Sequence, residues 1–286
     1  MVQGSALTIG VNSVDPKHYE GWSGELNACE ADANDMEEIA KSKGFKVTKL
    51  LTKEATRDNV IRALEENIQL LQNGDIFMLS NSGHGGQVRD TNGDETDVGN
   101  SVPDMEDETW CLYDGQLVDD EINSYLAKFK EGVRIIVLSD SCHSGTVTKV
   151  ANFRNTLNLI NSNVDNQNNK YKFMPGSIAL RTYRANREFY DKILNKIDKN
   201  EAKGDNVKAS VILISGCQDN QLSLDGTFNG AFTGQLLTVW GNGLFNGNYK
   251  KFHRNIVLSM PPSQTPNYFP IGQVNSKFES QTPFTI

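Results

Sequence analysis

Short apolar runs alternate with amphipathic helical patterns along the sequence, and this alternation limits the fold more than any other feature. The apolar runs predict strands over 6–11, 45–51, 75–80, 133–139, 210–215 and 267–271. Apolar residues at helical spacing predict helices over 25–43, 57–72, 121–129, 182–199 and 230–240. Strands that alternate with helices form a mostly parallel sheet covered on both faces, so we expect a three-layer α/β/α sandwich with about six strands.

Two segments interrupt the alternation. Residues 90–121 are rich in Asp and Glu and contain no Lys or Arg, whereas residues 149–208 are basic and include an Asn-rich stretch. We interpret the second segment as an insertion or linker, about 150–208, within a single domain that covers 1–286. It separates a first part, about 1–150, from a last part, about 209–286.

The composition excludes several classes of protein. The net charge is −8 and the sequence pI is about 5.1, which argues against nucleic acid or a membrane surface as a partner. No apolar run approaches the roughly 20 residues of a membrane span, and the first residues do not resemble a secretory signal. The four cysteines form no Cys-x-x-Cys pair, so we expect free thiols in a cytoplasmic protein.

Chemically active side chains follow two of the predicted strands. His84 lies between Gly83 and Gly85, and we expect a tight loop that leaves its ring with little side-chain cover. Cys142 follows a predicted buried strand in a loop of small polar residues, an unusual setting for a thiol that only packs. Because functional groups gather at the carboxyl ends of parallel strands, we expect His84 to face Cys142, where an imidazole favours the reactive thiolate.

These two segments resemble the catalytic signatures of metacaspases and orthocaspases. The matching segments are Ser82-Gly83-His84-Gly85 and Asp140-Ser141-Cys142-His143-Ser144-Gly145, joined in the family's order by the helix motif from Leu26 to Ala33 and by Ser215–Asp219 and Asn229–Thr233. The resemblance covers about 6–150 and 210–271. It implies a caspase-like fold, with a large-subunit-like part before the insertion and a small-subunit-like part after it.

The resemblance also implies a thiol protease mechanism. Cys142 is the implied nucleophile, His84 is the implied general acid and base, and the backbone N–H groups of Gly85 and Cys142 are the implied oxyanion hole. Metacaspases cleave after Arg or Lys and line that pocket with acids. The resemblance places Asp32 and Asp140 there, and we add Ser82 and Asp225 as further candidates.

Two further properties follow from the resemblance. Relatives often cut themselves in the linker between the two parts, so we expect a zymogen with autocatalytic cleavage within 149–208, where Lys and Arg are frequent. Many metacaspases bind calcium, and Asp107, Asp119 and Asp120 are the candidate ligands here. Lys149 stands where the family has an Asp, and its charge opposes a cation, so we expect no required cofactor.

The expected partners are proteins and peptides with Arg or Lys before the cleaved bond, and the expected state is a monomer. Three alternatives stay open: a non-catalytic caspase-like scaffold, an Asp-specific caspase, and a legumain- or gingipain-like peptidase. A nucleotide-binding module is disfavoured because the sequence has no P-loop or dinucleotide fingerprint.

Overall fold

The computed structural model describes residues 2–89, 106–141, 170–197, 206–217 and 223–286. Its strands are β1 Gly4–Gly10, β2 Lys46–Leu51, β3 Ile76–Ser82, β4 Gly85–Arg89, β5 Glu106–Leu112, β6 Gly115–Val118, β7 Arg134–Asp140, β8 Lys170–Tyr171, β9 Ser210–Ser215, β10 Leu224–Asp225 and β11 Asn267–Gly272. Its helices are α1 Cys29–Ser42, α2 Arg57–Leu70, α3 Asp119–Ala127, α4 Gly176–Ala185, α5 Arg187–Leu194, α6 Ala231–Trp240, α7 Tyr249–Ser259 and α8 Ser276–Ser280.

The central sheet confirms the predicted architecture. Six strands lie in the order β2-β1-β3-β7-β9-β11, and all are parallel except the edge strand β11, which pairs antiparallel with β9. Side chains alternate between the two faces, so Leu7 and Phe77 pack on one side while Ala6 and Met78 pack on the other. Helices cover both faces, which gives the α/β/α layers that the alternation predicts.

Three local features differ from the sequence predictions. The acidic segment contributes β5 and β6, which form a three-stranded antiparallel sheet with β4 that the polar sequence did not reveal. Helix α1 begins at Cys29 rather than at residue 25, because the side chain of Asn12 accepts the N–H groups of Cys29 and Glu30. The helix predicted over 182–199 is two helices, broken at Asn186, whose side-chain amide donates to the carbonyl of His18.

Local contacts fix two helix ends. The Thr56 hydroxyl caps α2 by accepting the N–H of Asn59, and Gly44 follows the end of α1 with a left-handed φ of +86°. Among the described helices, none combines the length and the apolar character that a membrane span requires.

Candidate active site

Strand register brings the two predicted signatures together. Strands β3 and β7 are parallel neighbours, and Ser82 pairs with Asp140 at their carboxyl ends. His84 comes two residues after Ser82, and Cys142 comes two residues after Asp140. Cys142 itself lies outside the described residues, which end on this side at the buried Ser141.

The His84 ring is buried, and this corrects the expectation of a bare loop. Only 4% of the residue is exposed, because the Trp22 ring lies 4.7 Å from the imidazole between centroids. Gly24 continues this cover with a left-handed φ of +51°, and a side chain there would collide with Trp22. The cover comes from a segment about 60 residues earlier, so nothing in the local sequence around His84 indicates it.

One hydrogen bond selects the tautomer of His84. Its Nε2 lies 2.9 Å from the carbonyl oxygen of Gly24, and because a carbonyl only accepts, Nε2 carries the proton. Nδ1 makes no hydrogen bond within the part of the chain that the structure describes. The neutral ring therefore offers a lone pair at Nδ1, which is the form that a general base requires.

The surroundings of His84 keep it neutral. The pKa of His84 is lowered to about 4, mainly by burial and to a smaller degree by the nearby Lys172 ammonium. The Gly24 carbonyl and the backbone of Phe173 oppose this shift only in part. A thiolate beside the ring would raise the pKa of His84 again, because its negative charge favours the imidazolium.

Two of the predicted acids meet around one buried cation. The Lys172 ammonium lies 2.9 Å from Asp32 Oδ2, 3.0 Å from Asp140 Oδ2 and 2.9 Å from Ser82 Oγ. Lys172 is 0% exposed, and Asp32 and Asp140 are 1% and 2% exposed. The structure thus joins Asp32, Asp140 and Ser82, from three different elements, into one acidic pocket.

The acidic pocket also contains groups that the sequence analysis did not assign. The backbone N–H of Gly230 and the side-chain amide of Asn229 donate to Asp32 Oδ1. The hydroxyls of Ser223 and Thr233 donate to the two oxygens of Asp140. The Asn229–Thr233 segment was a family match in the sequence, and that match was the available signal for its place here.

The charges of the acidic pocket require a cation. Burial alone would lower the pKa of Lys172, but Asp140 and Asp32 hold this pKa well above its ordinary value, so the side chain is an ammonium. Burial and the neighbouring Asp140 raise the pKa of Asp32, although Lys172 opposes this shift. An acidic side chain in this pocket would add a third carboxyl group to two that are already buried, which is unfavourable.

Asp225 lies at a different point of the site. Its two carboxylate oxygens accept the backbone N–H groups of Asn27 and Ala28, just before α1 begins. Asp225 belongs to β10, which pairs antiparallel with β8, so Asp225 lies opposite Lys170 in the ladder. A role for Asp225 in choosing the P1 side chain stays a prediction.

Backbone donors around Gly85 hold a neighbouring strand. The Gly85 N–H donates to the carbonyl of Lys172 at 3.0 Å, and the Met174 N–H donates to the carbonyl of Gly85 at 2.7 Å. The N–H of Lys172 donates to the carbonyl of Ser223. The predicted oxyanion donor Gly85 is thus directed at a peptide carbonyl.

The candidate calcium ligands do not form a metal site in the described residues. Asp107 lies in β5 and is buried, while Asp119 and Asp120 begin α3. No group of three or more His, Cys, Asp or Glu side chains in the described ranges is arranged to hold a metal ion. A calcium-binding role for Asp107, Asp119 and Asp120 therefore stays a prediction, and we derive no chemical step through calcium.

The other three cysteines are buried free thiols, as expected from the sequence. Burial raises the pKa of Cys29 to about 12 and raises that of Cys111 further. Cys217 contacts the carbonyl of Ser141, next to the predicted nucleophile. A thiol whose pKa is raised this far is not a nucleophile near neutral pH, so Cys29 and Cys111 are packing residues.

Comparison with known proteins gives a consistent family. The model of the caspase domain family, Peptidase_C14, matches residues 3–281. Metacaspase-1 of Saccharomyces cerevisiae is 30% identical over 256 residues, which cover 81% of this chain and 56% of the yeast protein. Metacaspase-1 of Kluyveromyces lactis is 29% identical over 258 residues, with the same two coverages. The chain therefore spans little more than half the length of these relatives.

Solved structures agree with the sequence matches. Protein GSU0716 from Geobacter sulfurreducens is 56% identical, with a TM-score of 0.87, over 99% of this chain and 98% of that one. Caspase-1 from Spodoptera frugiperda is 10% identical with a TM-score of 0.51, over 95% of this chain and 86% of that one, which shows the shared fold alone. With a family model that spans nearly the whole sequence, the chain belongs to the caspase domain family of peptidases and is similar to the metacaspases.

Proposed function

We propose that this chain is a cysteine endopeptidase that hydrolyses peptide bonds after Lys or Arg. The observation that carries the proposal is the acidic pocket, in which Asp32, Asp140 and Ser82 bind a fully buried ammonium. A Lys at P1 of a substrate would present the same group to the same oxygens. The guanidinium of Arg would offer more donors in a planar fork and suits two carboxylates.

The geometry around the pocket supports the proposed roles of Cys142, His84 and Gly85. Cys142 is the proposed nucleophile, and strand register supports its approach to His84 because both lie two residues beyond paired positions. The free Nδ1 of His84 would accept the thiol proton and give it to the leaving amine. The N–H of Gly85, which already donates to a peptide carbonyl, would stabilise the oxyanion.

Electrostatics disfavour the Asp-specific alternative. A P1 aspartate would enter a pocket whose described end is formed by two buried carboxylates, with no Arg among its described lining groups. The non-catalytic alternative gains no support from the described residues, since the tautomer of His84 and the acidic pocket are those that catalysis after a basic residue needs.

The cellular setting is also part of the proposal. We infer a cytoplasmic protein, and the three free buried thiols of Cys29, Cys111 and Cys217 support a reducing compartment. A monomer is inferred from the resemblance to metacaspases, and light scattering of the purified chain would measure it.

The test is hydrolysis of matched fluorogenic peptides that differ only at P1, with Arg, Lys or Asp. Wild type and Cys142→Ala are compared, each with added calcium and after EGTA stripping. We expect cysteine-dependent hydrolysis of the Arg and Lys peptides and none of the Asp peptide. Hydrolysis of the Asp peptide alone would replace our proposal with the Asp-specific one, and equal rates for wild type and Cys142→Ala would remove the proposed nucleophile.

A further inference from the structure

A segment of the chain's own insertion lies across the candidate active site as an extended strand. Residues Lys170 and Tyr171 form β8, which pairs antiparallel with β10. The next two residues continue this path. The backbone N–H of Lys172 donates to the carbonyl of Ser223, and Phe173 forms a parallel bridge with Gly85. Bound peptides often use this mode, adding a strand to an exposed backbone edge while a side chain fills a pocket.

The position of one peptide bond within this segment is informative. The carbonyl of Lys172 accepts the N–H of Gly85, the proposed oxyanion donor. Phe173, on the other side of that peptide bond, is bridged to Gly85, the residue that follows His84. The Lys172 side chain fills the acidic pocket. The P1 carbonyl and the P1 side chain therefore each lie beside the group that would act on them.

We propose that Lys172–Phe173 is the bond at which this protease cuts itself, and that the uncut segment blocks the site until then. The inference rests on the proposed function and adds the position of the cut and its regulatory consequence. The segment before the bond occupies the P1 pocket, and the segment after it occupies the leaving-group side. A substrate peptide cannot enter while both are in place.

The cut is a hydrolysis that needs no further reactant than water. The Cys142 thiolate attacks the carbonyl carbon of Lys172, forming a thioester as the carbon–nitrogen bond to Phe173 breaks. The proton taken from the thiol passes through His84 to the Phe173 nitrogen, which leaves as an amine. Water then adds to the thioester carbon through His84, and the carbon–sulfur bond breaks. One proton of the water returns to the Cys142 sulfur, and the second is released to solvent as the new acid ionises to a carboxylate on Lys172.

Other basic residues of the insertion are less suited to this position. Arg181, Arg184 and Arg187 lie in α4 and α5, and a helical backbone cannot pair as an extended strand at the site. Lys170 lies in β8, but its ammonium reaches outward to the Asn27 side chain, at an exposed contact of 3.3 Å. Among the described basic residues of the insertion, Lys172 alone has its charge in the acidic pocket.

The two sides of the bond are held with different strength. Beyond it, Met174 is buried and the chain continues into α4 and α5, where Tyr183 and Tyr190 are buried against the body. Before it, the described contacts include the short ladder with β10, the backbone bonds of Lys172 to Ser223 and Gly85, the Lys172 side chain, and the exposed contact of Lys170 with Asn27, but no helix of the described residues docks on the body there. The cut places a new carboxylate beside a pocket that already contains two, which favours departure of the Lys172 side. The pocket then opens while the two fragments stay associated.

The experiment compares Lys172→Ala with the matched control Lys170→Ala, two residues earlier in the same strand. Each full-length chain is incubated alone, with wild type and Cys142→Ala in separate parallel reactions, and fragments are identified by intact mass and N-terminal sequencing. We expect a fragment that begins at Phe173 from wild type and from Lys170→Ala. We expect none from Lys172→Ala or from Cys142→Ala, and Lys172→Arg should restore the cut.

A second variant keeps the test decisive if Lys172→Ala is poorly folded. Phe173→Pro leaves the Lys172 ammonium in the acidic pocket and replaces the bond to be cut with a Lys–Pro bond, whose nitrogen carries no hydrogen. The residue before a proline favours the extended backbone that Lys172 already has here. We expect no cut and slow hydrolysis of an added Arg peptide, at least about tenfold below cut wild type. A tethered segment competes at an effective concentration on the order of millimolar.

The same assay separates failure of this inference from failure of the proposed function. Wild type should hydrolyse the Arg peptide after a lag that matches the appearance of the Phe173 fragment, whereas Lys172→Ala should show no lag. Cysteine-dependent hydrolysis with no new terminus at Phe173, or with full activity in Phe173→Pro, would overturn the inference alone. No hydrolysis of any peptide by wild type or Lys172→Ala would overturn the proposed function beneath it.

Discussion

Gly230 limits what can enter the acidic pocket, and replacing it with alanine should close the charged end of that pocket. Its φ of −57° and ψ of 151° suit any residue, so alanine introduces no backbone strain there. A methyl group at this position would lie 2.2 Å from the Lys172 ammonium, 2.4 Å from Asp140 Oδ2 and 2.9 Å from Asp32 Oδ2. It would therefore occupy the space that a P1 ammonium or guanidinium needs.

The expected loss can be estimated from the hydrogen bonds involved. A hydrogen bond to a charged group contributes about 1.5–3 kcal/mol, so displacing a cation from two carboxylates costs about 3–6 kcal/mol. A difference of about 1.4 kcal/mol is a factor of ten, and kcat/KM for Arg and Lys peptides should fall by at least about 100-fold. In the uncut chain the same methyl crowds Lys172 and should lower the free energy of unfolding by about 1–3 kcal/mol.

The assay is best made in the Lys172→Ala background, where no segment needs to leave the pocket first. Gly230→Ala/Lys172→Ala is compared with Lys172→Ala for the kcat/KM of the Arg and Lys peptides and for melting temperature. Gly234→Ala is the matched control, since it lies one turn later in α6 and its methyl would make only an ordinary contact with Asn229. A folded double variant with kcat/KM within a few-fold of its parent would refute our assignment of the pocket.

Three further predictions concern the site and the insertion. The pKa of His84 is about 4 in the folded chain and near 6.5 in the unfolded chain, so the unfolded chain binds more protons between these pH values. The free energy of unfolding of Cys142→Ala, measured with urea, should therefore fall by about 3 kcal/mol from pH 6.5 to pH 4. His84→Gln in the same background should lose this part of the pH dependence. Asp140→Asn should lower kcat/KM for an Arg peptide by about 10–100-fold and leave a peptide with an uncharged P1 unchanged relative to wild type. Tyr190→Phe removes the hydroxyl that bonds to His18, at 2.6 Å, and that accepts the backbone N–H of Gln116, at 3.2 Å. This change should lower the free energy of unfolding by about 1–2 kcal/mol in the same denaturation assay, and no change would mean that these bonds add nothing to the docking of α5.

The sequence predicted those parts of the molecule whose causes are local. All six strands of the central sheet were predicted from their apolar residues, and the sheet follows from their alternation with helices. The signal is strongest for β1, β3, β7 and β9, which are buried nearly throughout, whereas the edge strands β2 and β11 are only partly buried. The antiparallel sheet of β4, β5 and β6 was missed, since Glu106, Asp107 and Glu108 are atypical of a strand and only pairing with β4 makes it one.

The site shows the same division. Asp32, Asp140 and Ser82 were predicted together because each belongs to a recognisable motif at a strand or helix end. Lys172 was not distinguished from the other Lys and Arg residues of the linker, since the run Lys170-Tyr171-Lys172 is typical of an exposed segment. Its burial arises from partners on elements 90 and 140 residues away, which no local pattern encodes.

The pairing of Ser82 with Asp140 has a consequence for how this chain tolerates changes in length. Hydrogen bonds between neighbouring strands, rather than the number of residues separating them, set the alignment of the two catalytic signatures. The number of residues between β3 and β7 does not enter this alignment, whereas a single residue inserted within β3 or β7 would shift one signature by a whole ladder position and reverse the facing of its side chains. The alignment of the two signatures therefore depends on the lengths of the two strands far more than on the length of the connection between them.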